Sequence, residues 1–122
     1  MAKWSNDLVM DAALGYVGLC DRIFVCSDQP ADFTGAGTTL MLATGTVTVA
    51  SFGTADGTSG RKLTVAQQAS IPVANSGSAT HVALGKITTD ELTYVTTCTG
   101  QQLTAGNTVT VPAWIIQVDD PT

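Results

Sequence analysis

Apolar positions recur at helical spacing near the start of the chain and in strand-like alternation over most of the rest. Ser5 stands just before Asp7, Leu8 and Val9. A serine there can cap the free N–H groups of a first helical turn, and Asp7 meets the positive end of the helix dipole. Val9, Ala13, Tyr16 and Val17 define one apolar stripe, flanked by Leu8 and Ala12, with Asp7 and Asp11 toward the other side. The spacing predicts a helix over residues 6–19, with Gly18 as its terminator, preceded by an arm of residues 1–5. Trp4 can close onto Val9 as a hydrophobic staple, or anchor the arm on a neighbouring subunit.

Beyond the helix the period changes to two. Arg22-Ile23-Phe24-Val25-Cys26 is a compact strand candidate, closed by the turn-forming Ser27-Asp28-Gln29-Pro30. Residues 31–37 read as loop, and residues 38–42 leave strand and loop open. Thr46-Val47-Thr48-Val49 alternates, which predicts a half-buried strand with both valines on one face. Residues 52–60, with three glycines, predict a connecting loop or wide hairpin before alternation resumes at 61–66. Residues 70–74 form a short strand candidate that Pro72 suits to an edge, and 75–78 a turn. Residues 79–84 and 92–98 read as paired strands, with Leu92 and Tyr94 placed to meet Val82 and Leu84. A loop over 100–107 leads to a last strand, 108–118. Pro112 divides it, or marks a bulge that carries it from one sheet to another. Trp114, Ile116 and Val118 share a face, and 119–122 form a solvated tail.

One helix followed by about eight short strands predicts a single domain over residues 1–122, with its strands within 22–118. The expected fold is mainly β, an antiparallel β-sandwich of jelly-roll-like kind with one N-terminal helix. The lack of crossover helices excludes a parallel α/β sheet. Composition agrees: threonine occurs 20 times and valine 12 times among 122 residues, and these β-branched side chains suit a pleated sheet.

Charge narrows the function classes. Ten acidic residues against five basic ones give a net charge of −5, and Arg61-Lys62 is the one adjacent basic pair. Nucleic-acid binding, which needs clustered cations to displace phosphate counterions, is not expected. Nor is a membrane partner, because the apolar stretch 12–20 is too short to span a bilayer and contains two glycines. It follows Asp7 and Asp11 rather than cations, so it makes a poor secretion signal. Cys20, Cys26 and Cys98 form no metal-ligand spacing and read as buried thiols of a protein made in a reducing cytoplasm, with a disulfide from Cys98 to one of the others left open.

The residues nominate no catalytic site, no cofactor and no metal. His81 is the single histidine, so a hydrolytic triad would have to be built around it, and alternation sends it to the opposite face from Val82 and Leu84. It reads as a structural or interface imidazole. Asp90-Glu91 and Asp119-Asp120 are neighbours that point apart on an extended chain, not a facing pair of carboxylates. Calcium at Asp119-Asp120 would lack an oxygen-rich loop of EF-hand type. Gly35-Ala36-Gly37 lacks the third glycine and the lysine of phosphate-binding loops, and no serine stands in a Gly-x-Ser-x-Gly elbow.

Three segments carry a resemblance. Gly77-Ser78-Ala79-Thr80-His81-Val82-Ala83-Leu84, then Glu91-Leu92-Thr93-Tyr94-Val95-Thr96-Thr97, then Leu103-Thr104-Ala105-Gly106-Asn107-Thr108-Val109-Thr110-Val111-Pro112-Ala113 resemble a family of small bacteriophage virion structural proteins, in an order shared over nearly the whole chain. Members are head-associated or tail-fibre-like and bring no catalytic residue. The resemblance implies a virion protein made in the host bacterial cytoplasm. The leading expectation is a capsid decoration or cement protein, a class often trimeric, with the major capsid protein or other virion proteins as partners and homo-oligomers expected. The runner-up is a tail-fibre, collar or head-spike-base component, and a carbohydrate-binding module is a third reading. Trp4, His81 and Trp114 are the candidate interface residues.

Overall fold

A computed structural model describes residues 7–57 and 60–118. The chain is mainly β, with one short N-terminal helix and three antiparallel sheets in an arrangement consistent with a β-sandwich. Helix α1 spans Asp7–Val17. The strands are β1 (Arg22–Cys26), β2 (Met41–Thr46), β3 (Phe52–Asp56), β4 (Arg61–Val65), β5 (Gln68–Pro72), β6 (Gly77–Lys86), β7 (Glu91–Leu103), β8 (Thr108–Val111) and β9 (Trp114–Val118). They form a four-stranded sheet in the order β2-β1-β6-β7, a three-stranded sheet β3-β4-β9 and a two-stranded sheet β5-β8. The expected arm, the Ser5 cap, Trp4 and the tail lie outside the described residues.

Strand β1, inside the four-stranded sheet, is buried on both faces, which is why it is a continuous apolar run rather than an alternation. Ile23 and Val25 of β1 join Val82 and Leu84 of β6 in the main core, with Ile71, Val73, Leu103, Val109 and Val111. Phe24 and Cys26 face the other way, into a smaller cluster with Ala83 and Ala36. The segment expected as loop supplies that cover. Asp32 accepts the Gly35 N–H at 2.7 Å and starts a single π-helical turn, Gly35–Thr39, which seats Ala36 on the sheet; the Phe33 ring meets Phe24 edge to face at 5.5 Å.

Four local expectations change. The buried stripe of α1 is Met10, Leu14 and, in part, Val17, whereas Val9 and Tyr16 face solvent. Both stripes are apolar; Asp11 decides between them, because it must face the body to reach Arg61 of β4. Residues 46–49 are not one strand. β2 ends at Thr46 because its partner β1 begins at Arg22, opposite it. Val47 then buries, its N–H bonded to the Asp21 carbonyl, and Val49 lies exposed in a short 3-10 turn.

Residues 100–103 continue β7 rather than starting a loop, and the tight turn follows at Ala105-Gly106-Asn107, where Gly106 takes φ +94. Finally, a register shift between Leu84 and Gly85 sets Tyr94 opposite Leu84 and Leu92 opposite Gly85. Tyr94 packs on the main core, but Leu92 joins the Phe24 cluster. The 52–60 segment forms the hairpin β3-β4, closed by a Gly57 N–H bond to the Gly60 carbonyl. Pro112 falls where the last strand leaves β5 as β8 and joins β4 as β9.

Candidate interface surfaces

His81 lies on β6, an inner strand of the four-stranded sheet, opposite Cys26 of β1 and Thr97 of β7. Alternation puts it with Ala83, on the face of the Phe24 cluster. Its Nδ1 is 2.8 Å from the Thr80 hydroxyl, and it is half-buried. No group of three or more His, Cys, Asp or Glu side chains among the described residues could hold a metal ion.

Trp114 opens β9 and packs, partly buried, against the main core on the other face of the sheet. The fold therefore does not bring His81 and Trp114 together. Trp114 lines a cleft between β7 and the β8–β9 crossing. Two contiguous hollows of about 200 and 250 Å³ share Val82, Cys98, Thr99, Val111 and Pro112 as walls. The indole Nε1–H is buried without an acceptor among the described residues. An unmet buried donor costs about 1–3 kcal/mol.

Two further surfaces were not nominated by the sequence reading. The first is the outward stripe of α1, where Leu8 is 76% exposed, Val9 64%, Tyr16 48% and Leu19, just past the helix, 52%. The helix is held from beneath. Arg61 reaches Asp11 through Nε at 2.9 Å and Nη2 at 3.3 Å, and Asp56 through Nη1 at 2.7 Å. These two carboxylates hold the guanidinium pKa above its ordinary value. At the far end of the helix the Tyr16 hydroxyl donates to the Glu91 carboxylate, which raises the phenol pKa. The second surface is the outer edge of β7. Its one legible trace in the sequence is a run, residues 92–103, with no charged side chain.

The three thiols are free. Burial pushes all three up in pKa, Cys26 to about 11, where its thiol sits 3.7 Å from the Ala36 carbonyl oxygen. Cys20 and Cys26 are buried as expected; Cys98 is exposed, because the far half of β7 extends past the part of the sheet that is covered. No helix among the described residues is long and apolar enough to cross a membrane. Comparison of the chain with protein-family models, with curated proteins and with solved structures gave no match.

Proposed function

We propose that this chain is a structural protein of a bacteriophage virion, a decoration or cement protein that binds the major capsid protein from outside and works as a homo-oligomer without catalysis. The observation that carries this reading is the outward stripe of α1. Met10, Leu14 and Val17 already seat the helix on the body and Tyr16 adds its bond to Glu91, while Leu8, Val9 and Leu19 still turn apolar side chains to solvent. Apolar surface left in water forgoes about 25 cal/mol per Å², a gain that contact with another protein recovers. The net charge of −5 favours the outer face of a shell over its DNA-lined interior. The resemblance of the β6, β7 and β8 segments to phage virion proteins points the same way.

The test is co-sedimentation of the purified chain with particles that lack it, alongside electron cryomicroscopy of complete particles. Binding that saturates at hundreds of copies and weakens at least tenfold in a Leu8→Ser, Val9→Ser double variant supports cement. A handful of copies at the tail or a vertex moves the assignment to a tail-fibre, collar or spike-base component. No particle affinity and no density in the virion overturns the reading.

A further inference from the structure

Resting on the cement reading above, we propose that the outward face of α1 and the β6–β7 turn beside it receive a cationic amphipathic helix of the partner, apolar along its centre and bearing lysine or arginine on its flank.

Met10, Leu14 and Val17 point into the body, so the helical repeat carries Leu8, Ala12, Gly15 and Tyr16 round to the opposite side. All four are exposed, and Leu19 follows them just past the helix. Ile87, 46% exposed at the start of the β6–β7 turn, is tied to the same end. Its N–H donates to Asp21 Oδ1 at 2.9 Å, and Asp21 follows Cys20, whose N–H bonds the Val17 carbonyl. The Tyr16 hydroxyl reaches Glu91, just past that turn. Apolar side chains spaced three and four apart along a helix are the pattern by which two helices pack together. Gly15 suits such an approach. A Cβ there would meet nothing within 4 Å, so no neighbour within the chain requires the glycine, although glycine inside a helix costs about 0.5–1 kcal/mol relative to alanine. Beside Ala12 it leaves a shallow notch in the exposed face.

The end of this face nearest the turn is acidic. Asp21, Asp90 and Glu91 stand there with the cation Lys86, which lies opposite Glu91 in the ladder, while Arg22 reaches instead to the Thr46 hydroxyl of β2 at 3.1 Å. No basic residue in the last turn of α1 offsets the negative end of its dipole. The buried Cys20 thiol feels the same field: burial raises its pKa most, Asp21 and Glu91 add to the rise, and Lys86 opposes them.

Charge and shape together select the occupant. An acidic or neutral helix would leave these carboxylates uncompensated as the apolar centre closes, and a second copy, at −5, would add acids of its own. A helix with lysine or arginine beside its apolar stripe covers Leu19 and Ile87 and meets the carboxylates at their edge.

The test titrates the full chain with a fluorescent synthetic peptide of about 14 leucine and lysine residues, its leucines on one helical face, long enough to lie along α1. Fluorescence anisotropy is expected to show binding that weakens as salt rises, and amide hydrogen exchange over residues 8–19 is expected to slow in the complex. The pair Asp90→Asn, Glu91→Gln, in which glutamine still accepts the Tyr16 proton, should weaken binding at least about tenfold, and so should Leu19→Ser with Ile87→Ser, which leaves the charge unchanged. Asp28→Asn with Asp32→Asn removes equal charge at the other end of β1 and should change affinity less than about twofold, with circular dichroism spectra alike throughout. No binding of the peptide, equal binding of its counterpart with glutamate for lysine, or equal losses in the near and remote charge pairs overturns the proposal. Co-sedimentation with particles reads the capsid assignment separately, so a chain that binds particles but fails these tests loses only the cationic helix.

Discussion

The Asp11 carboxylate grips the Arg61 guanidinium at two points, Oδ1 to Nε at 2.9 Å and Oδ2 to Nη2 at 3.3 Å, and so ties the helix to a strand 50 residues away. A two-point pair fixes rotation as well as distance. Asp11→Asn keeps the size of the side chain but removes its charge. It is expected to lower the melting temperature by a few degrees at low salt, with the difference from wild type shrinking in high salt as screening weakens the ion pair. Equal melting curves at low salt would show that the pair does not hold the helix.

Leu84 is fully buried at the centre of the main core, whereas Ile115 is 52% exposed. Leu84→Ala removes methyl groups that close-packed neighbours cannot replace, and should cost about 2–5 kcal/mol. Ile115→Ala should stay within about 0.5 kcal/mol of wild type. Urea unfolding of the two variants checks the contrast, and similar losses for both would contradict the assignment of the core.

A side chain has no room at Gly85. A Cβ there would stand 2.8 Å from the Glu91 carbonyl oxygen and 3.2 Å from the Phe33 ring. The ring can shift but the backbone carbonyl cannot do so without opening the β6–β7 pairing. Gly85→Ala is therefore expected to destabilise by about 1–3 kcal/mol, while Gly53→Ala, which meets nothing within 4 Å, serves as the mild comparison.

Stability should fall in alkali, and Cys26 contributes to the loss. Burial raises its thiol from 9.0 to about 11 in the folded chain. Below pH 9 the thiol is neutral in both folded and unfolded states, and its contribution is fully present. As pH rises from 9 to 11 the unfolded chain ionises while the folded chain resists, so the balance moves toward unfolding. Chemical denaturation across this window should show a declining midpoint that flattens in Cys26→Ala. An identical slope in the variant would rule out Cys26 as a source.

Much of the strand plan was legible because alternation is a local signal. Leu63 and Val65 bury on β4, where alternation over 61–66 puts them on one face, and Pro112 marks the change of sheet, as the pattern of residues predicts. What escaped the sequence depends on partners far along the chain. α1 carries two apolar stripes, and only the distant Arg61 selects which one faces inward. Thr46-Val47-Thr48-Val49 alternates as a strand should, yet β2 stops where β1 has no residue left to pair.

The candidate site was less legible than the fold. His81 and Trp114 could each be placed on a face, but not relative to one another, and they occupy opposite sides of one sheet. The cleft beside Trp114 arises where β7 passes the β8–β9 crossing, and no local pattern announces such an approach. A charge-free run in an acidic chain was the available sign.

The crossing at Pro112 also governs how the molecule comes apart. A single short stretch, residues 108–118, belongs to two different sheets, so tension or heat that frees β9 from β4 pulls directly on the β5–β8 pair. The two smaller sheets should thus be lost in one all-or-none event, with calorimetric and van't Hoff enthalpies in agreement and no half-open state in which one sheet outlives the other.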